Sequence, residues 1–116
     1  MLSLGAQFLK LQLRLAKPLV RFTTIENART AQDQLGRITA GTLKAKVAYE
    51  TVSFEEFDAC FAVSTACPSP CGRVVLYLHG GGYTAGSLDY AKGFGGLLAA
   101  HTRLNVFCVA YRLAPE

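Results

Sequence analysis

The chain is 116 residues long, 51% apolar and 17% charged, a composition that excludes an intrinsically disordered segment and suits one small packed unit. Its net charge of +4 is uneven, with eight Lys or Arg against two Asp or Glu in residues 1–46 and four against six in residues 47–116. So modest and local an excess excludes a nucleic-acid footprint, and no apolar run approaches the roughly 18 residues of a membrane span.

The first element predicted is a helix from about Leu2 to Ala16. Leu4, Phe8, Leu11 and Leu15 repeat at helical spacing on one face, and Lys10, Arg14, Lys17 and Arg21 do so on another. Leu2, Leu9, Leu13 and Val20 widen the apolar arc, so this helix is expected to bury itself against its own protein, with binding to a membrane surface the less favoured alternative, and Pro18 to end or kink it. Lys10 and Arg14 also break the apolar run, which speaks against a signal peptide and for a cytoplasmic chain. Thr23-x-x-Glu26 reads as a capping box that opens a second helix, running to about Leu35 before Gly36.

From Leu43 the period changes to two. Leu43, Ala45, Val47 and Tyr49 alternate with polar residues as in a half-buried strand, and Phe57 to Val63 reads as its antiparallel partner after a return at Ser53 to Glu56. Pro68-Ser69-Pro70-Cys71-Gly72 is a loop by composition. Val74 to Leu78 is apolar at every residue, the pattern of a central strand covered on both faces. Ser87 or Asp89 can cap a helix whose inward face is Tyr90, Phe94, Leu97 and Leu98, and Gly93, Gly95 and Gly96 within it imply close packing on a sheet. Asn105 to Tyr111 is a further strand, expected at an exposed sheet edge. Strand, helix, strand makes a βαβ unit with right-handed crossover. Cys60 and Cys108 sit in apolar stretches as small hydrophobes, whereas Cys67 and Cys71 can close a disulfide or offer two metal ligands. No second Cys/His pair stands nearby, so no metal site is expected.

The chemistry lies in His79-Gly80-Gly81-Gly82-Tyr83-Thr84-Ala85-Gly86-Ser87, directly after the Val74-to-Leu78 run. Three glycines at a strand's carboxyl end give a backbone whose N–H groups can approach a ligand oxygen without a Cβ in the way. Acyl transfer passes through a tetrahedral oxyanion, and one fixed N–H aimed at it is worth about 3–4 kcal/mol. On this reading Gly81 and Gly82 donate, Gly80 permits the turn, His79 braces the loop from its buried side and Tyr83 contacts substrate. The alternative at this level is a tight turn with no ligand.

The run His79-Gly-Gly-Gly-Tyr-x-x-Gly-Ser87, followed by Val109-Ala-Tyr-Arg-Leu-Ala-Pro-Glu116 after one helix and one strand, resembles the hormone-sensitive-lipase-like branch of the α/β-hydrolases. The resemblance implies an α/β chain forming the N-terminal portion of that fold, with cap-type helices over residues 1–40. Residues 41–116 would be the first part of the hydrolase domain, an antiparallel hairpin and then a βαβ unit. It implies a serine carboxylesterase or lipase acting on a small-molecule ester without a cofactor, with oxyanion donors at Gly81 and Gly82 and Tyr111 to Glu116 as a structural turn beside the loop. None of Ser3, Ser53, Ser64, Ser69 and Ser87 stands in a Gly-x-Ser-x-Gly context, so the nucleophile, acid and base are expected beyond Glu116, and this stretch is expected to be inactive alone. Two other functions compete: a non-catalytic ligand-binding member of the same fold, and an NADP-binding Rossmann-type domain. For the second, Gly80-x-Gly82-x-x-Ala85 formally fits a dinucleotide fingerprint, but Tyr111-Arg112 stands where an acidic ribose partner is wanted.

Overall fold

The computed structural model describes residues 3–21, 23–67 and 72–116; Leu2 and the Pro68-to-Cys71 loop lie outside these. In chain order the elements are α1 (Leu4–Arg21), α2 (Ile25–Thr42), β1 (Val47–Ser53), β2 (Asp58–Ser64), β3 (Val74–Leu78), α3 (Leu88–Thr102) and β4 (Asn105–Val109). The strands form one sheet in the order β1-β2-β4-β3, antiparallel between β1, β2 and β4 and parallel between β4 and β3.

The hairpin closes where Phe54 N donates to Phe57 O at 2.9 Å, with the two rings stacked at 4.8 Å. The first strand starts at Val47 rather than Leu43. Lys46 and Val47 N donate back to Leu43 O, which turns the chain out of α2 before the sheet begins. After the crossover through α3, β4 lies inside the sheet and pairs with β2 through Ala59 to Ala62, which corrects its expected edge position. The described sheet instead has its edges at β1 and β3. Val75 and Tyr77 of β3 pack toward the core, whereas Val74, Leu76 and Leu78 are 56%, 61% and 60% exposed, so this strand is covered on one face and not on both. A short apolar run does not distinguish those two cases.

The core is a thin layer between α3 and the sheet, built from Leu43, Val47, Ala62, Ala91, Ala99, Val106 and Cys108. Small residues dominate it because α3 lies almost on the strands. A Cβ on Gly95 would stand 2.2 Å from Cys108 Sγ, and one on Gly96 2.0 Å from the Tyr49 hydroxyl. The fully buried residues of α3 are therefore Ala91, Gly93, Gly95, Gly96 and Ala99; of the expected Tyr90, Phe94, Leu97 and Leu98, the two leucines pack partly buried against this core and Phe94 does not. Phe94 is 49% exposed and rests its ring against Tyr77 at 5.2 Å. Cys60 and Cys108 are buried free thiols, and burial pushes Cys108 up to about 12. Cys67 is disulfide-bonded.

Helix α2 packs on α3 by the same device. Its N-cap is Thr24, one residue after the expected Thr23, with Thr24 Oγ1 accepting from Asn27 N at 3.2 Å. It runs straight through Gly36 to Thr42. A Cβ at Gly36 would lie 2.2 Å from Asp89 O, and one at Gly93 2.8 Å from Gly36 Cα, so Gly36 is a helix–helix contact and not a stop. Arg37 closes the crossing with Nε and Nη2 each 2.8 Å from Asp89 Oδ2.

Helix α1 continues past Pro18 to Arg21. Proline removes the bond to the Arg14 carbonyl, which lies on an exposed stretch where water can take its place. Among the described residues α1 touches no other element. No described helix is long and apolar enough to cross a membrane.

The glycine contacts separate two substitutions in one helix. Gly36→Ala should lower stability by about 1–3 kcal/mol through overpacking against α3. Gly41→Ala meets nothing within 4 Å and should raise it by up to about 1 kcal/mol through helix propensity. Chemical denaturation of both variants checks the contrast.

Candidate active site

The loop that leaves β3 bounds a cleft of about 500 Å³ lined by Leu78, His79, Gly80, Gly81, Gly82, Tyr83 and Tyr111. The turn is made by consecutive residues in the left-handed region: Gly81 at φ 134°, Gly82 at 63° and Tyr83 at 61°. Gly80 has no positive φ and has empty space where a Cβ would stand, so the turn falls after it, correcting its expected role. A Cβ on Gly81 would stand 1.9 Å from Ala85 O, so this position excludes every other residue on two grounds. At Gly82 the same test meets nothing within 4 Å, and a side chain there would enter open space at the cleft.

The carbonyls of Gly81, Tyr83 and Thr84 are tied into the protein. Gly81 O accepts from Thr84 N at 3.3 Å and Ala85 N at 3.1 Å; Tyr83 O accepts from Ala114 N at 2.8 Å; Thr84 O accepts from Arg29 Nε at 2.8 Å. By contrast, the Gly81 and Gly82 N–H groups find no acceptor among the described residues. Such donors normally need a partner, from solvent or from a ligand.

His79 is 3% exposed and lies under the loop. Its Nδ1 donates to Gly80 O at 2.9 Å, and since a carbonyl only accepts, the proton sits on Nδ1. Its Nε2 is buried with no partner among the described residues. The ring stacks on Tyr111 at 4.4 Å and 12°, and the Tyr111 hydroxyl donates to His79 O. Tyr111 thus braces both the ring and the backbone of the residue that enters the loop. Tyr83 is 75% exposed at the cleft wall.

Two residues that sequence reasoning missed hold the loop from behind. Arg29 of α2 donates to Thr84 O, to Ala114 O at 3.2 Å, and through both terminal nitrogens to the Glu116 carboxylate at 2.8 and 3.0 Å. Asp33 accepts from the Ser87 hydroxyl, and Ser87 itself caps α3 by accepting from Asp89 N and Tyr90 N. Arg29, Asp33 and Gly36 stand at i, i+4 and i+7, one face of α2, a stripe visible only to a reader who carries the helix through Gly36. Among the described residues no cluster of His, Cys, Asp and Glu could hold a metal ion.

A parallel βαβ unit beside an antiparallel hairpin, with a glycine turn at the carboxyl end of its first strand, defines the opening part of the α/β-hydrolase fold. The chain is similar to the hormone-sensitive-lipase-like branch of that fold. Residues 75–116 match the family described as alpha/beta hydrolase fold. An ethyl acetate hydrolase of Pseudomonas putida is 47% identical over 49 residues, which cover 42% of this chain and 15% of that protein. The crystal structure of esterase LipW from Mycobacterium marinum superposes with a TM-score of 0.62 at 35% identity, over 82% of this chain and 32% of that one. A crystallised esterase of the bacterial hormone-sensitive lipase family gives 0.57 at 25% identity, over 81% of this chain and 30% of that one. The chain thus spans about a third of the length of these solved relatives.

The Arg29–Glu116 pair has a definite pH signature. Hydrogen bonds from Arg29, and then from its own backbone, hold the Glu116 carboxyl down to about 2. What this pair adds to docking the turn on α2 is complete above the ordinary carboxylate range and is lost as pH falls toward 2. The pair is solvent-exposed, so its stability contribution is small and salt-sensitive. A carboxyl carbon NMR titration should place the Glu116 midpoint near 2, and Arg29→Gln should raise it toward the ordinary carboxylate range. An unchanged midpoint in the variant would contradict the assignment.

Proposed function

We propose that the glycine loop is the oxyanion-binding element of a serine carboxylesterase or lipase, and that the cleft receives the acyl end of a small ester. In this reading Gly81 and Gly82 N–H donate to the carbonyl oxygen as it gains charge. Gly80 keeps the approach to them free of side chains, His79 supports the loop, and Tyr83 flanks the substrate. The observation that carries it is that the Gly81 and Gly82 N–H groups, in a positive-φ turn lining the cleft, have no acceptor among the described residues while the carbonyls of Gly80, Gly81, Tyr83 and Thr84 are bonded. The ester hydrolases among the relatives support the same class.

Donors of this kind stabilise the transition state because they are already oriented in a site shielded from water and need not reorganise as charge develops. The same reading requires a nucleophile with its base and acid. Ser64 is buried, and Ser87 is committed to the α3 cap and to Asp33. We therefore assign the catalytic serine and its partners to residues outside these 116, residues 1–40 to a cap, and residues 41–116 to the first part of the catalytic domain.

The test joins residues 1–116 to the nucleophile-bearing remainder of the LipW esterase. The graft should hydrolyse p-nitrophenyl butyrate. Gly82→Val in the graft should lower kcat by about 10²–10³ with an unchanged circular dichroism spectrum, because the side chain enters the acyl site and the donor is lost. Near-normal turnover in the variant would remove the loop from the chemistry and leave it a turn.

A further inference from the structure

A trans peptide is planar and points its C=O and its N–H in opposite directions, so a hydrogen bond that fixes the one aims the other. The Thr84–Ala85 and Gly81–Gly82 peptides are both trans. Arg29 Nε donates to Thr84 O at 2.8 Å, and the Ala85 N–H at the far side of that peptide donates to Gly81 O at 3.1 Å. The N–H opposite Gly81 O is that of Gly82, at the cleft. A second path converges on the same carbonyl. Arg29 Nη2 donates to Ala114 O at 3.2 Å, Ala114 N to Tyr83 O at 2.8 Å, and Thr84 N, across the Tyr83–Thr84 peptide, to Gly81 O at 3.3 Å. The Glu116 carboxylate accepts from both terminal nitrogens and fixes the guanidinium plane in which Nε meets the loop. The Gly81 N–H lies outside both paths, because its own peptide is held at Gly80 O by His79 Nδ1.

We propose that Arg29 is a positioning residue for ester hydrolysis, one that orients and polarises the Gly82 N–H through the Thr84–Ala85 and Gly81–Gly82 peptides. The inference rests on the oxyanion reading of the loop and adds to it what aims one of its two donors. Orientation matters because Gly81 and Gly82, both at positive φ, have no side chains to restrain the peptide between them. With Gly81 O released, that peptide is free to turn and take the Gly82 N–H out of the cleft. Polarisation acts in the same direction. A hydrogen bond from a guanidinium is stronger than a neutral one, and successive bonds strengthen one another, so the positive charge of Arg29 makes each N–H along the path a better donor. Arg29 itself touches no substrate.

The esterase graft described above carries the kinetic test. Arg29→Met should lower kcat about tenfold with KM nearly unchanged, less than the loss of about 10²–10³ for removing a donor outright, because the donor remains and is only misaimed. Gly82→Val already removes the end of the relay, so adding Arg29→Met to it should cost no more than about a further twofold. Arg37→Gln, which breaks the arginine contact to Asp89 at the crossing of α2 and α3, should leave kcat unchanged and separates aiming of the donor from docking of the helix. Circular dichroism confirms the fold of each variant. In the 116-residue chain itself, the NMR scalar coupling carried across the hydrogen bond from Ala85 N to the Gly81 carbonyl carbon should shrink in Arg29→Met. The proposal is overturned by near-normal kcat in Arg29→Met where Gly82→Val is crippled, by full additivity of the two substitutions, by an equal loss in Arg37→Gln, or by an unchanged coupling. Near-normal kcat in Gly82→Val is a different result: it removes the oxyanion reading, and this inference with it.

Discussion

Helix α3 meets both α2 and the sheet across glycines, and the geometry of the cleft follows from how near that brings the backbones. Gly93 faces Gly36 of α2, while Gly95 and Gly96 face Cys108 and Tyr49 of the sheet. Helices packed through ordinary side chains stay 8–10 Å apart, whereas here a single methyl group would collide with the neighbouring backbone. The contact sacrifices something: the Tyr49 hydroxyl is buried with no hydrogen-bond partner among the described residues, and burial pushes it up to about 12. What the close approach achieves is reach. Arg29 and Asp33, on the same face of α2 as Gly36, extend to Thr84, Glu116 and Ser87, so a helix 55 residues earlier in the chain holds the loop at Thr84.

The loop built on this support is almost wholly backbone. Ala85 O fills the place of a Cβ at Gly81, and Gly81 O in turn accepts from Thr84 and Ala85, so the turn is closed on itself. The Gly81 and Gly82 N–H groups have no acceptor among the described residues. A site made of peptide dipoles has no side chain to titrate or change rotamer, and Tyr111, stacked on His79 and bonded to its carbonyl, fixes where the loop starts. That is the preorganisation on which stabilisation of a developing oxyanion depends.

Much of the fold was legible from local pattern. The five apolar residues of β3, the Ser87 cap and the glycine-bearing helix leading to β4 each follow from short-range chemistry, and the structure has all three. Reading failed where a residue's role is tertiary. Gly36 looks like a helix stop because nothing local reveals the α3 backbone against it. Phe94 looks like part of an inward face because hydrophobicity outranks glycine in any periodicity count, although glycine is what the sheet admits there. Arg29 carries no signal, since an arginine on an amphipathic helix is ordinarily a solvated one. The apolar arc of α1 leads a reading of the sequence to expect burial, and no described element of this chain supplies it.

The central claim is that the Gly81 and Gly82 N–H groups hold a developing oxyanion. The most direct test is a crystal structure of the esterase graft inhibited by an alkyl phosphonate, whose phosphoryl oxygen stands in for that oxyanion. The account predicts this oxygen at about 2.7–3.1 Å from both glycine nitrogens. A phosphoryl oxygen held by other groups, with both N–H groups turned to water, would contradict it.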